Sequence, residues 1–375
     1  MARRRICFVL PSLNGGGAER AAVQILNGLD PDRWDRSMFL FAREGPYLSE
    51  VDPVIRIASA DTASRWGRWR ALRSFIAGER PEIVMAFLSY FSVLTAARAA
   101  NTGAKVVFNL QTPMSAFLTD ADYHWRHGWH KKAFSVVTRT GYAAADLIVA
   151  TSQGVARDLT SAFGIDPHQI RVLANPVDLD RVRAAAAEPI DERVLPAGDA
   201  PLIVAAGRLA EAKNYPLMIE ALAALRQQMP ARLCILGQGE LESNLRALIA
   251  TRGMGDAVSL AGFQSNPWKY IARAQVFLLT SRYEGFGNVL IEAMACGVPI
   301  VATASAGTRD IVRHDVDGLL IEEHTPRAVA AALFQVLHQA DRRLALSKAS
   351  REGANRFGVT ETVAKYAAVM EQLPS

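Results

Sequence analysis

The chain has 375 residues, half of them hydrophobic and 21% charged, a balance that excludes a disordered chain and, at this length, predicts two or three domains. Its three cysteines (Cys7, Cys234 and Cys296) are far apart and lack CxxC spacing, which excludes a disulfide frame or cysteine zinc site and reads as a reduced, cytosolic protein. The net charge of +5 lies in residues 1–190, with 23 Lys and Arg against 18 Asp and Glu, while residues 191–375 carry 19 of each.

In chain order, MARRRICFVLPSL begins with basic residues before an apolar run. That run stops at Asn14 and no small-residue cleavage site follows, so it is expected to be a buried strand, Ile6–Leu10, rather than a signal peptide. No apolar stretch approaches the roughly 20 residues that span a bilayer. Further strands are predicted at Met38–Ala42, Glu82–Phe87, Val106–Leu110, Leu147–Ala150 and Arg171–Leu173. After a break they resume at Leu202–Ala205, Leu233–Leu236, Val258–Leu260, Val276–Thr280 and Ile300–Ala302. Continuous apolar strands separated by helical stretches predict an α/β chain of parallel sheets covered on both faces. The break, RAAAAEPIDERVLPAGDAP, reads as a linker. The expected organisation is an N-terminal Rossmann-like domain over 1–180 and a C-terminal one over 196–360. A terminal helix over 361–375 begins near Thr360. Two doubly wound domains of this kind are expected to take ligands beyond the carboxyl ends of their strands, facing a cleft.

Three glycines, Gly15, Gly16 and Gly17, follow the first strand and open a helix, leaving bare backbone N–H groups at its positive end. The spacing is neither a dinucleotide fingerprint nor a Walker loop. Close approach to a ligand is the functional reading, and an ordinary strand–helix turn the structural one. Arg65, Arg68, Arg70, Arg73 and Arg80, with Trp66 and Trp69 among them, form a basic aromatic segment. It suits peripheral contact with an anionic membrane or a lipid-diphosphate acceptor, and equally a solvated face; nucleic acid is the poorest partner. His124, His127 and His130 share helical spacing but have no evident acidic or cysteine partner, which favours a polar helix over a metal site.

In the second half, LIVAAG runs into Arg208 and then Lys213-Asn214. A strand-end arginine and a nearby lysine can converge on a diphosphate and neutralise charge growing on a departing nucleotide. VFLLTS then leads into RYEGFGNVLIEAMACGVP, with Glu284 in a loop, Gly285 and Gly287 at a helix start, and Glu292 one turn inside. Glutamate within VLIEAMA is costly without partners, so a polyhydroxylated, phosphorylated ligand is the stronger reading.

The E-x7-E spacing of Glu284 and Glu292, within EGFGNVLIEAMACGVP, resembles the retaining glycosyltransferases of family four, whose fold is GT-B. GGGAER at 15–20, NPVD at 175–178, GRL with Lys213-Asn214, GQGE at 237–240, Gly262-Phe263 and DGLL at 317–320 stand in register with that family. The resemblance implies that Glu292 holds the donor ribose and Glu284 the hydroxyls of the transferred sugar. It implies that Arg208 and Lys213 meet the donor diphosphate, with backbone at Gly16, Gly17, Asn288 and Val289 completing the phosphate cradle. It further implies a nucleotide-sugar donor, a UDP-sugar by family habit, serving as substrate with no separate cofactor. Retention at the anomeric carbon, metal independence and a glycan or lipid-linked acceptor in cell-envelope polysaccharide assembly follow from the same resemblance. Where the family often has a histidine, this chain has Gln111, which bonds a sugar hydroxyl but does not titrate near neutral pH.

Three alternatives stay open on sequence. Asp178-Leu179-Asp180 and Asp315-Val316-Asp317 match the DxD of a metal-dependent transferase in letters only. A GT-B-like nucleotide-sugar epimerase would share the donor residues. A nucleotide-sugar binding module that has lost catalysis at Gln111 would do so too.

Overall fold

The computed structural model describes residues 3–14, 16–60, 62, 64–88, 90–115 and 128–374. The chain divides into two compact units, one of Met1–Pro176 with Val359–Ser375, the other of Val177–Gly358.

The first unit is built on a seven-stranded sheet. Its strands are β1 (Arg4–Leu10), β2 (Trp34–Leu40), β3 (Arg56–Ser59), β4 (Ile83–Phe87), β5 (Lys105–Leu110), β6 (Leu147–Ala150) and β7 (Ile170–Val172). All neighbours are parallel, in the order β3-β2-β1-β4-β5-β6-β7. Side chains alternate between faces. Ile6, Phe8 and Leu10 pack with Ile25 and Leu26 of the helix Gly17–Gly28, whereas Cys7 and Val9 join Leu72 and Ile76 of the helix Arg65–Glu79. With both faces covered, all of β4 is buried and reads as an unbroken apolar run.

The second unit holds six parallel strands: β8 (Leu202–Ala206), β9 (Arg232–Leu236), β10 (Val258–Leu260), β11 (Val276–Leu279), β12 (Ile300–Thr303) and β13 (Gly318–Ile321). Their order is β10-β9-β8-β11-β12-β13. One face is closed by Met218, Leu222 and Leu225 of the helix Tyr215–Arg226 and by Val329, Leu333 and Val336 of the helix Pro326–His338.

The chain leaves the first unit after Pro176, and the expected linker begins inside a helix and holds one further turn, Glu192–Val194. Asp178 accepts from Arg181 N and starts a helix, Leu179–Ala186, whose Leu179, Val182 and Ala186 are buried in the second unit. Alanine is the strongest helix former, and the start of RAAAAE closes this helix at Ala186. The terminal helix, Val359–Glu371, returns to the first unit and is not a separate piece. Its Val363, Tyr366 and Met370 pack in the core beside Ile25 and Leu26, and Arg4 Nη1 donates to Met370 O at 3.0 Å. All three cysteines are free and buried. Among the described residues no helix is long and apolar enough to cross a membrane.

Candidate functional site

In the second unit β8 and β11 are neighbours, with β9 and β10 to one side and β12 and β13 to the other. Chain segments therefore leave these two strand ends in opposite directions, the arrangement in which doubly wound sheets take ligands. Beyond β8 come Gly207, Arg208, a single turn at Glu211–Lys213 and the left-handed Asn214 (φ 51°) before the helix Tyr215–Arg226. Leu209 N donates to Gln238 O and Leu241 N to Leu209 O, each at 3.1 Å, so GRL and GQGE lie backbone against backbone. A Cβ on Gly237 would sit 2.0 Å from Gly207 O, which requires glycine there.

Beyond β11, Thr280 Oγ1 donates to Lys213 O (3.2 Å) and Asn214 O (3.0 Å), binding the two loops together. Glu284 Oε1 then accepts from Ser281 Oγ at 2.7 Å and from Lys213 Nζ at 2.5 Å. Gly307 N donates to Glu284 O, and a Cβ on Gly307 would press within 2.8 Å of Glu284 O and Phe286 O. The loop thus holds a buried carboxylate at a set position.

The helix Asn288–Ala295 follows Gly287 (φ 102°). First-turn N–H groups have no carbonyl partner within a helix, so Asn288 and Val289 stand at its positive end. Glu292 is only 5% exposed, and its Oε2 accepts from the indole N–H of Trp268 at 2.9 Å. The expected cation pair divides. Lys213 lies on Glu284, whereas Arg208 is exposed and makes no ion pair among the described residues. Carboxylates, a lysine, an exposed arginine and a helix N-terminus are the groups that a ligand both anionic and hydroxylated calls for.

The two DxD look-alikes have other work. Asp178 caps the helix Leu179–Ala186, and Asp315 pairs with Arg342. Asp317 is fully buried, accepting from Arg313 N and Nε (each 2.7 Å) and from Arg356 (3.4 Å). Among the described residues no group of three or more His, Cys, Asp or Glu is gathered as metal ligands. His124 and His127 lie outside the described residues, as does the side chain of His130.

In the first unit Gly16 is the N-cap of the helix Gly17–Gly28, without a side-chain cap. Glu19 folds back so that a Cβ on Gly16 would meet its Oε2 at 2.2 Å, which sets a carboxylate over the helix end expected to meet phosphate. Gly15 lies outside the described residues. Gln111, past the end of β5, is bonded on all sides. Its Nε2 donates to Asn109 Oδ1 and to Asn175 Oδ1 (3.2 Å), while Oε1 accepts from Asn175 Nδ2 at 2.7 Å. Both N–H groups are used, so Gln111 offers further ligands only an acceptor lone pair. Asn109 Nδ2 donates in turn to the hydroxyl of Tyr366, whose proton burial holds well above the usual phenol range.

The Arg/Trp segment is the N-terminal part of the helix Arg65–Glu79. Trp66 is 60% exposed and stacks on Trp69, centroids 4.8 Å apart, with the Arg70 guanidinium 5.4 Å from the Trp66 centroid. Arg68 and Arg73 are turned to protein carbonyls of Thr62 and Ala99, leaving Arg65, Arg70 and Arg80 outward.

Sequence reasoning passed over Ser281, Trp268 and Leu88. Ser281 sits inside a strand-like run, and Trp268 follows a polar Asn-Pro turn; an indole there, needing an acceptor, was the available signal. Leu88, at the end of β4, is left-handed (φ 66°), a strained conformation for leucine that no pattern announces.

A family model described as Glycosyl transferases group 1 matches residues 187–353, and one described as Glycosyltransferase Family 4 matches residues 15–181. A Campylobacter jejuni protein, N-acetylgalactosamine-N,N'-diacetylbacillosaminyl-diphospho-undecaprenol 4-alpha-N-acetylgalactosaminyltransferase, is 36% identical over 217 residues, 58% of this chain and 57% of that protein. The lipopolysaccharide core biosynthesis glycosyltransferase LpsE of Rhizobium meliloti is 32% identical over 216 residues, 57% of this chain and 61% of its own. The chain therefore spans a little over half the length of the curated relatives it matches. Among solved structures, HepE of Anabaena in complex with UDP and glucose aligns with TM-score 0.80 at 20% identity, covering 99% of this chain and all of that one.

Proposed function

The chain belongs to the family 4 glycosyltransferases, transferases of the GT-B fold, and on that premise we propose that it moves a sugar from a nucleotide diphosphate donor, a UDP-sugar, to a glycan or lipid-linked acceptor in cell-envelope polysaccharide assembly. The observation that carries the donor half is the Lys213–Glu284–Ser281 cluster at the ends of β8 and β11. In this reading Lys213 leaves Glu284 for the donor diphosphate, joined by Arg208 and by the backbone of Asn288 and Val289. The freed carboxylate of Glu284 accepts from the hydroxyls of the transferred sugar, and Glu292 accepts from the ribose. Gly16, Gly17 and Gln111 belong to the first unit's part of the reaction, Gln111 as an acceptor only.

Growing charge on the departing diphosphate meets cations already drawn to it by the bound donor, so the stabilisation increases toward the transition state. Retention at the anomeric carbon and independence of metal are part of the proposal. The UDP in the HepE complex supports the choice of nucleotide, and the diphospho-undecaprenol acceptor in the Campylobacter protein's name supports a lipid-diphosphate acceptor. The outward Arg65 and Arg70 beside the Trp66–Trp69 stack support peripheral contact with an anionic membrane carrying such an acceptor.

Thermal-shift screening of UDP-, GDP- and ADP-sugars, followed by transfer assays with and without acceptor, tests the reading. A midpoint raised by one nucleotide sugar, with turnover that needs acceptor and disappears in Glu284→Gln, is expected. Turnover without acceptor would favour an epimerase instead, and donor binding without any transfer a binding module.

A further inference from the structure

The carboxylate of Glu292 does not set its own orientation. It is buried, and a carboxylate offers about four lone-pair directions, so a partner must choose among them. Trp268 supplies one such partner through an N–H on a rigid ring, 2.9 Å from Oε2. The ring is itself held. The Arg181 guanidinium lies 6.0 Å from the ring centroid, and Trp268 O accepts from Cys296 Sγ at 3.8 Å. Two residues earlier, Asn266 Nδ2 donates to Ala185 O (2.8 Å) and Glu188 Oε2 (2.9 Å). The segment bearing Trp268 is thus braced by the helix Leu179–Ala186 on one side and tied to the carboxyl end of the helix Asn288–Ala295 on the other.

We propose that Trp268 is a positioning residue that fixes the plane of the Glu292 carboxylate for the two ribose hydroxyls of the donor nucleotide. The inference rests on the reading of Glu292 as the ribose acid. A bidentate contact to a cis-diol depends on that plane, whereas contacts to the base and the diphosphate do not. Loss of the indole N–H therefore weakens only nucleotides that carry the diol.

The test is calorimetric titration of UDP and of 2′,3′-dideoxy-UDP into wild type, Trp268→Phe and Glu292→Gln, with melting curves to compare folding. Trp268→Phe is expected to weaken UDP about five- to tenfold, less than outright loss of a hydrogen bond to a charged group because the ribose contact is weakened rather than removed, and to leave the dideoxy nucleotide within twofold. In turnover the donor KM rises in parallel while kcat stays within about twofold. Trp268→His, which keeps an N–H donor, is expected to recover part of the loss. Equal weakening of both nucleotides, or none, would overturn the proposal. Unchanged UDP binding in Glu292→Gln would instead overturn the reading of Glu292. If the phenylalanine variant does not fold, Asn266→Ala releases the segment bearing Trp268 from the helix Leu179–Ala186 and leaves the indole in place. It is expected to show the same preference at about two- to threefold, and equal loss for both nucleotides overturns the proposal there too.

Discussion

Lys213 and Glu284 meet with about a fifth and a tenth of their side chains exposed. Taking one partner from such a pair leaves the other charge poorly solvated, and this costs more than the pair contributes. Lys213→Met is therefore expected to lower stability by about 1–3 kcal/mol, discounted for the partial exposure, and to cut turnover about a hundredfold or more. Adding Glu284→Gln restores most of the melting temperature but none of the turnover, because the diphosphate charge still goes unmet. Recovery of both in the double variant would assign the pair to stability alone. Glu292 was legible in sequence because a charge inside an apolar helix is costly without partners, and local composition displays that cost. Arg208, Lys213 and Glu284 were legible from their places after apolar strands and from the spacing shared with the family. Ser281 and Trp268 act through single hydrogen bonds across loops far apart in sequence, which leave no mark on spacing. Gln111 was legible as a departure from a family pattern. The engagement of both its N–H groups by Asn109 and Asn175 needed the fold.

At the scale of elements, the central strands announced themselves because both their faces are covered. β3 escaped notice as an edge strand with no fully buried residue, and β13 because four residues beginning at glycine resemble a turn. The helix Arg65–Glu79 refines an expectation that treated all its arginines alike. Arg65 and Arg70 point outward, while Arg68 and Arg73 are engaged with Thr62 and Ala99. Each basic residue near an anionic surface contributes about 1 kcal/mol, so Arg65→Gln with Arg70→Gln is expected to weaken vesicle association about thirtyfold. Arg68→Gln with Arg73→Gln acts mainly on helix stability and weakens association less. Co-sedimentation with phosphatidylserine-containing liposomes at low and high salt measures both, and wild-type protein that ignores such vesicles would make the helix a solvated face.

For the whole molecule, burial sets a limit at alkaline pH. It pushes Cys7, Cys234 and Cys296 from their ordinary 9.0 up to about 12, and raises Tyr90, Tyr142, Tyr215 and Tyr366 as well. The folded chain keeps these protons where the unfolded chain releases them, so the stability they contribute is full below the unfolded values and is lost as pH climbs past them. The melting temperature is expected to hold level to about pH 8.5 and fall steadily from about pH 9 upward, and a level curve to about pH 11 would contradict the burial of these groups. The two passages of the chain between units, after Pro176 and after Gly358, carry a further consequence for biosynthesis. Domains ordinarily fold in the order the ribosome delivers them. Here the second unit is one continuous stretch, with all six strands present once Gly358 has emerged. The first unit, translated earlier, still lacks Val363, Tyr366 and Met370 at that moment, and Asn109 has no hydroxyl to meet. The half that is made first is finished last, and it is the half a nascent-chain chaperone has longest to hold.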